Sequence, residues 1–258
     1  MQNFLNSFLE MITLYPSLLY LYVGVVSLAV GSFLNVVIYR LPLMMYSQWR
    51  SECRLLLEID NEKETTEAEA KKTFNLMWPL SHCPNCKHKI APWDNIPLLS
   101  FLWLRGKCRH CKTGISPRYF FIELLTMVLS LVVAYRFGPS AQCVAALFFT
   151  WLLIGMSFID IDEMLIPDEM VYLFLWGALF SSLHSVFIEP SDAIIGALAG
   201  YLSLWTIAKL FKFAMRKEGM GHGDFKLAAG LCAWIGWTSL PFIALAGSLA
   251  GLRYRFRP

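Results

Sequence analysis

The sequence predicts an all-α polytopic membrane protein with about six or more transmembrane helices and a cytoplasmic loop domain between the first and second. Hydrophobic residues make up 57% of the 258 residues, which exceeds what an ordinary soluble domain carries. Several apolar runs also approach the roughly 20 residues that a helix needs to cross a bilayer. A lipid bilayer is therefore the expected surrounding of most of the chain, and no nucleic-acid partner is expected.

The apolar runs predict the transmembrane spans in chain order. The predicted spans are residues 17–39, 119–135, 141–159, 170–188, 193–208 and 225–252. The first is expected to remain as an anchor, because no basic residue precedes it and its apolar run is too long for a signal peptide. The last is interrupted by Pro241, so a kinked helix and a re-entrant hairpin both remain open. The hairpin is preferred because it returns the basic residues after 252 to the cytoplasm.

Basic residues predict the orientation of these spans. They gather in residues 40–118 and again in 209–217, and such segments tend to stay in the cytoplasm. The N-terminus is then outside, and span 141–159 runs inward and ends next to Asp160. Span 225–252 runs outward from Asp224. Charge bias and span counting thus bring both aspartates to the cytoplasmic face.

The first loop has two parts of different composition. Residues 58–72 are highly charged and are typical of a solvated helix or flexible insert without chemistry of its own. Further on, Cys83 and Cys86 form one Cys-x-x-Cys pair and Cys108 and Cys111 form another. Two such pairs at this spacing predict a structural Zn²⁺ site with four thiolate ligands and no open coordination position.

Disulfides and a redox pair are the alternative interpretations of these cysteines. They are less favoured because the loop is predicted to be cytoplasmic, where structural disulfides are rare. Three histidines of the loop are expected to be neighbours of the site rather than ligands: His82, His88 and His110. The remaining cysteines, Cys53, Cys143 and Cys232, have no partner pattern.

Asp160 and Asp224 are candidate catalytic residues because ionisable groups at the edge of hydrocarbon are costly and tend to be functional. Two facing carboxylates could form the acid/base pair of an intramembrane aspartyl protease, although such groups also serve transport. A structural role at a helix end explains other acidic residues: Asp162, Glu163, Asp168 and Asp192. It explains Asp224 less well, because Gly221 and Gly223 imply unusual torsions or a close approach by another segment.

These motifs, taken in order, resemble those of the type IV prepilin peptidases. Beyond the two cysteine pairs, the resemblance rests on residues 31–42, 93–100, 104–108, 115–119, 123–124, 160–168 and 221–227. It implies an enzyme of the bacterial inner membrane that removes the leader of prepilins or pseudopilins at the cytoplasmic face. It also implies N-methylation of the new N-terminus with S-adenosylmethionine. In this family the catalytic aspartates correspond to Asp160 and Asp224, with Gly221 and Gly223 as motif support.

The resemblance also divides the chain into three regions. Residues 1–40 are predicted to form the N-terminal transmembrane helix, 41–118 the zinc-binding loop and candidate methyltransferase region, and 119–258 the transmembrane aspartyl peptidase region. Four residues are candidates for methyl-donor binding, with a structural role equally open for each: Gly31, Arg40, Asn95 and Glu123. Two other functions remain open: a peptidase that has lost methyltransferase activity, and a membrane transport or assembly subunit.

Overall fold

The computed structural model describes residues 15–57, 74–91, 94, 97–216 and 221–255. This part of the chain is helical and contains no β-strand, only isolated bridges in the cysteine loop. The α-helices are α1 (Pro16–Leu56), α2 (Leu99–Trp103), α3 (Pro117–Phe137), α4 (Ala141–Glu163), α5 (Asp168–Ser182), α6 (Pro190–Met215), α7 (His222–Ile235) and α8 (Leu240–Arg255). The predicted all-α class is confirmed for the described residues. The charged insert 58–72 and Asn95 lie outside them.

Within the described residues, four helices are long and apolar enough to cross a membrane: α1, α3, α4 and α6. They coincide with the predicted spans that begin at residues 17, 119, 141 and 193. Helix α5 has 15 residues, about 22 Å at 1.5 Å per residue, so it is shorter than the predicted span 170–188. The number of transmembrane helices beyond these four stays a prediction.

Helix α1 differs from the predicted boundary at residue 40. It continues to Leu56 and contains Pro42. Proline removes one backbone donor and disturbs the turn before it, but it does not prevent helix formation further on. Residues 43–56 are rich in Leu, Met, Arg and Gln, which favour helix, so the helix enters the region that was assigned to the loop.

The predicted interruption of span 225–252 lies at a different residue from Pro241. Helix α7 ends at Gly236, whose φ of 97° is in the left-handed region, and a short 3-10 turn, Trp237–Ser239, leads into α8. Glycine ends helices in this way because it has no Cβ. Pro241 is the second residue of α8, where the missing N–H has no cost. The sequence therefore located the break correctly but assigned it to the wrong residue.

The chain divides into two compact units. The first comprises residues 1–143 and 153–163, and the second comprises residues 144–152 and 164–258. In the first unit, α1 packs against α3 at Gly31, where an added Cβ would lie 3.0 Å from Glu123 Cα. Asn35 Nδ2 donates to the Tyr119 carbonyl over 3.2 Å. Small residues and interhelical hydrogen bonds are how membrane helices associate closely, so Gly31 has the structural role that the sequence left open.

In the second unit, α6 and α7 touch backbone to backbone. A Cβ added at Gly196 would lie 2.3 Å from the Cys232 carbonyl oxygen, and one at Gly200 would lie 2.6 Å from that of Ala228. The same helix α7 also packs against α5, where Trp234 Nε1 donates to the Phe174 carbonyl over 3.0 Å. The C-terminal two-thirds of α7 is thus fixed from two sides.

Gly196→Ala is expected to lower the free energy of unfolding by about 3 kcal/mol, at the upper end of the effect of overpacking. The added methyl group would meet a backbone carbonyl, which cannot move without displacing α7. Reversible unfolding in mixed micelles measures this change. Gly247→Ala in α8 is the matched control, because nothing lies within 4 Å of its added Cβ, and it should be neutral. Equal stability of the two variants would contradict the close packing of α6 and α7.

Candidate active site and metal centre

Four cysteines form a cluster in the loop that follows α1. The Sγ atoms of Cys83, Cys86, Cys108 and Cys111 all lie within 4.8 Å of one another, and all four are free thiols. The Sγ atoms of Cys83 and Cys111 are 3.7 Å apart. Sulfurs around one tetrahedral zinc ion lie about 3.8 Å apart, given a Zn–S bond near 2.3 Å. The cluster therefore has the donor set and the spacing of a metal site with four thiolates.

The two cysteine pairs have the same backbone geometry. A lysine follows each pair, Lys87 after the first and Lys112 after the second, and both have a φ of 58°. The Lys87 N–H donates to the Cys83 carbonyl over 2.9 Å, and the Lys112 N–H donates to the Cys108 carbonyl over 3.1 Å. A non-glycine residue in the left-handed region is uncommon, so its presence at the same position of both pairs indicates two matching knuckles around one centre.

The loop itself favours thiolates at this centre. Hydrogen bonds with the side chain and backbone of Thr113 lower the pKa of Cys111 to about 5, and the Thr113 hydroxyl lies 3.3 Å from Cys111 Sγ. The backbone N–H groups of Cys86 and Asn85 lower the pKa of Cys83. Thiolates are the form of cysteine that binds metal, so these contacts favour the metal-binding form at Cys83 and Cys111. At Cys86 a backbone hydrogen bond from His88 lowers the pKa, but burial and the neighbouring thiols outweigh it and raise the pKa to about 11.

The histidines of the loop lie beside this cluster. The rings of His88 and His110 lie against each other with centroids 3.5 Å apart and planes tilted by 39°. The Nδ1 atom of His82 lies 3.1 Å from the Leu80 carbonyl oxygen. Within the described residues, the group of potential metal ligands contains only the four cysteines, in agreement with the expectation for these histidines.

An ion pair connects the second knuckle to the segment before it. Arg109 Nε donates to Asp94 Oδ2 over 2.8 Å and to Oδ1 over 3.1 Å. Its hydrogen bonds hold the pKa of Asp94 below the ordinary value. A guanidinium and a carboxylate paired by several bonds fix orientation as well as distance, so residue 94 is held next to the cysteine cluster.

Arg40 ties the segment before the first knuckle to α1. Its side chain is buried and donates to the carbonyls of Asn75 and Leu76 over 3.0 and 3.3 Å, and to that of Pro79 over 2.6 Å. A buried guanidinium requires such partners. Arg40 therefore has a structural role in holding the loop, which is one of the two readings that the sequence left open.

Glu123 has a similar role on α3. Its carboxylate Oε2 accepts the N–H of Leu98 over 2.9 Å, and Leu98, with a φ of 57°, immediately precedes α2. Glu123 is buried beside Gly31, so it too has the structural role that the sequence left open. The loop is thus attached to both α1 and α3.

Asp160 lies in the last turn of α4 together with two other acidic residues. Arg118 forms an ion pair with Asp162, and the Tyr46 hydroxyl donates to Glu163 Oε2 over 3.2 Å. Asp160 is exposed on the protein surface, and its carboxylate has no hydrogen bond or ion pair among the described residues. The interpretation of these acidic residues as structural therefore accounts for Asp162 and Glu163. It does not account for Asp160.

Asp224 lies in the first turn of α7, which begins after Gly221. Neither Gly221 nor Gly223 has a positive φ, so unusual torsions are not the reason for these glycines. Instead, a Cβ added at Gly223 would lie 3.2 Å from Ile166 Cβ. The second of the two expected reasons, a close approach by another segment, therefore applies at Gly223.

The predicted site residues belong to both compact units of the chain. The four cysteines are brought together, whereas Asp160 belongs to the first compact unit and Asp224 to the second. Pairing of the two aspartates stays a prediction. Sequence reasoning did not identify a partner for Lys226, two residues after Asp224, whose Nζ lies 2.7 Å from both carboxylate oxygens of Asp168.

Four apolar helices and a four-cysteine centre define an integral membrane protein of the helical class with a candidate metal site in one loop. Comparison with known families assigns the chain to a family within this class. Residues 25–137 match the bacterial peptidase A24 N-terminal domain, and residues 147–255 match the type IV leader peptidase family. The chain therefore belongs to the type IV leader peptidase family, and the identification made from the motifs is confirmed.

Similar proteins from several bacteria bear the name prepilin leader peptidase/N-methyltransferase. The Aeromonas salmonicida strain A449 protein is 49% identical over 238 residues, which are 92% of this chain and 79% of that protein. The Pseudomonas aeruginosa protein is 49% identical over 87% of this chain and 75% of its own length. The Legionella pneumophila protein is 44% identical over 92% and 80%. No solved structure matches the chain.

Proposed function

We propose that this protein removes the leader peptide of type IV prepilins or pseudopilins and N-methylates the new N-terminal residue. The observation that carries the proposal is the match of both halves of the chain to this family, with relatives named for both activities. The position of the predicted aspartates supports the peptidase half, because Asp160 and Asp224 each stand at the end of a helix with an exposed side chain.

Asp160 and Asp224 are the proposed catalytic dyad. Two carboxylates that share one site cannot both stay ionised, so one keeps a proton. The ionised member activates a water molecule to attack the scissile carbonyl, and the protonated member donates to its oxygen. The two groups titrate as a unit.

We place both aspartates at the cytoplasmic face of the bacterial inner membrane. In this topology the chain has about six or more transmembrane helices, and the cysteine loop between the first and second is cytoplasmic. The prepilin leader is basic and stays in the cytoplasm while its apolar stem lies in the bilayer. Cleavage then occurs where the two aspartates emerge from the membrane.

The four cysteines would hold Zn²⁺ in a structural site, because four thiolates leave no coordination position for water or substrate. The region 41–118 is the proposed methyltransferase region, and 119–258 is the peptidase region. S-adenosylmethionine would supply the methyl group for the free N-terminal amine that leader removal exposes. The cysteines, Arg40 and Glu123 would hold the loop in one conformation for this reaction.

Mass spectrometry of a prepilin co-expressed with this protein tests the proposal. The expected product lacks the leader and carries the added mass of one methyl group, whereas prepilin expressed alone keeps its leader. Products without the methyl group would restrict the function to a peptidase. An intact leader on prepilins and pseudopilins alike would contradict the proposal and favour a transport or assembly role.

A further inference from the structure

An ion pair joins the two sequence motifs that carry the aspartates. Lys226 Nζ lies 2.7 Å from both Oδ1 and Oδ2 of Asp168. Lys226 is two residues after Asp224 in α7, and Asp168 is the first residue of α5. The ammonium also lies 5.4 Å from the centre of the Tyr172 ring. The lysine is therefore held by one carboxylate and one aromatic face, both from α5.

The contact lies near the start of α7, before the packing contacts described above. Gly196 and Gly200 of α6 meet α7 at Cys232 and Ala228, and Trp234 bonds to α5 near the other end. These contacts all fall in the later turns of α7. In the first turn, which bears Asp224, Phe225 is buried and its ring lies edge-on to that of Tyr201 of α6.

Two further contacts attach the start of α7 to the segment that leads into α5 and to the first residue of α5. Gly223 allows the backbone to approach Ile166, with an added Cβ only 3.2 Å away. Lys226, three residues after Gly223, pairs with Asp168, two residues after Ile166. The lysine side chain is 27% exposed and that of the aspartate 50%. Ion pairs as exposed as this one contribute little to global stability, so its effect is to orient the turn rather than to hold the fold.

We propose that the Lys226–Asp168 pair positions the turn that carries Asp224 for leader cleavage. The inference rests on the proposed peptidase function and assigns Lys226 and Asp168 as positioning residues, because neither is required to touch the substrate. A carboxylate that acts on a scissile bond must be held within a fraction of an ångström. Loss of the pair therefore lowers the rate of cleavage and leaves methyl transfer unchanged, since that step takes place after the bond is cut.

Steady-state kinetics of Lys226→Met and Asp168→Asn in detergent, with a purified prepilin, tests this role. Each variant is expected to lose about 10- to 100-fold in kcat, the effect of a displacement near 1 Å, with KM within about threefold of the wild type. The double variant should lose no more than either single variant, because both remove the same pair. Lys226→Arg keeps the cation and should recover most of the loss. N-methylation of a previously cleaved pilin should be unchanged in all variants.

Lys209→Met is the matched control, because Lys209 is an exposed lysine of α6 that rests on Trp205. It should cleave at the wild-type rate. The proposal is overturned if Lys226→Met keeps full kcat, if only KM rises, if the two single effects multiply in the double variant, or if cleavage and methylation fall together. A wild-type protein that leaves prepilins uncut would refute the peptidase function itself and this role with it. Normal wild-type cleavage with an unaffected Lys226→Met would refute only the positioning role.

Discussion

Asp224→Asn is expected to abolish leader removal, with a fall in kcat/KM of about a thousandfold or more, near the upper range for a general acid or base. The amide can neither accept the proton of an attacking water molecule nor hold the charge that a dyad shares. Asp160→Asn should have the same effect. Because the two carboxyls act as a unit, the double variant should be no worse than either single variant. The measurement is the rate of leader loss from a purified prepilin, followed by mass spectrometry.

Asp192→Asn is the control for this prediction. Asp192 is also an exposed aspartate in the first turn of an apolar helix, α6, and the same change of charge should leave cleavage at the wild-type rate. Retention of more than about a tenth of the wild-type rate by Asp224→Asn would exclude it from acid/base catalysis. Loss of activity in Asp192→Asn as well would mean that negative charge at these helix ends serves insertion rather than chemistry.

Cys83→Ser is expected to release the metal ion from the loop and to lower methyl transfer before it affects cleavage. A structural zinc site contributes about 10 kcal/mol or more to the folding of small domains, and the loop has little packing of its own to replace it. Wild-type protein should contain one equivalent of zinc under reducing conditions. The variant should contain less than about a tenth of that amount, because three thiolates bind far more weakly than four. Elemental analysis and N-methylation of cleaved pilin give the two readouts.

Cys53→Ser is the matched control for the metal prediction. Cys53 is an exposed free thiol near the end of α1, outside the cluster, and its loss should change neither zinc content nor methylation. A wild-type protein purified with less than about a tenth of an equivalent of zinc would contradict the four-thiolate site. Unchanged methylation in a zinc-free Cys83→Ser protein would separate the metal from that activity.

Much of the fold could be predicted from local sequence. Helices α1, α3, α4 and α6 follow from apolar runs of the right length, because burial in lipid depends on composition along one segment. The cysteine cluster follows from spacing for a similar reason, since each Cys-x-x-Cys pair forms its own knuckle. Helix ends were harder to predict, since α1 continues past residue 40 and α5 is shorter than its predicted span, because helix ends depend on weak local preferences.

The glycines show where prediction from sequence stopped. The motif alone could not show whether a glycine is needed for unusual backbone torsions or for a close approach by another segment. The structure assigns Gly223 to a close approach, because Ile166 lies against it. Nothing in the sequence indicated a role for Gly196 and Gly200, because the backbone carbonyls that pack against them belong to the distant residues 232 and 228. Contacts between segments so far apart in the chain leave no periodic pattern in a single sequence.

The sequence by itself determined the membrane setting, the helical class, the family and the candidate residues for the chemistry, because these follow from residue type and spacing along one segment. Only the tertiary structure decided how those residues are supported. It assigned Arg40 and Glu123 to the attachment of the loop, paired Asp162 and Glu163 but gave the neighbouring Asp160 no partner among the described residues, and joined Lys226 to Asp168. Each of these outcomes depends on which distant segments meet, and that is fixed by packing rather than by local pattern.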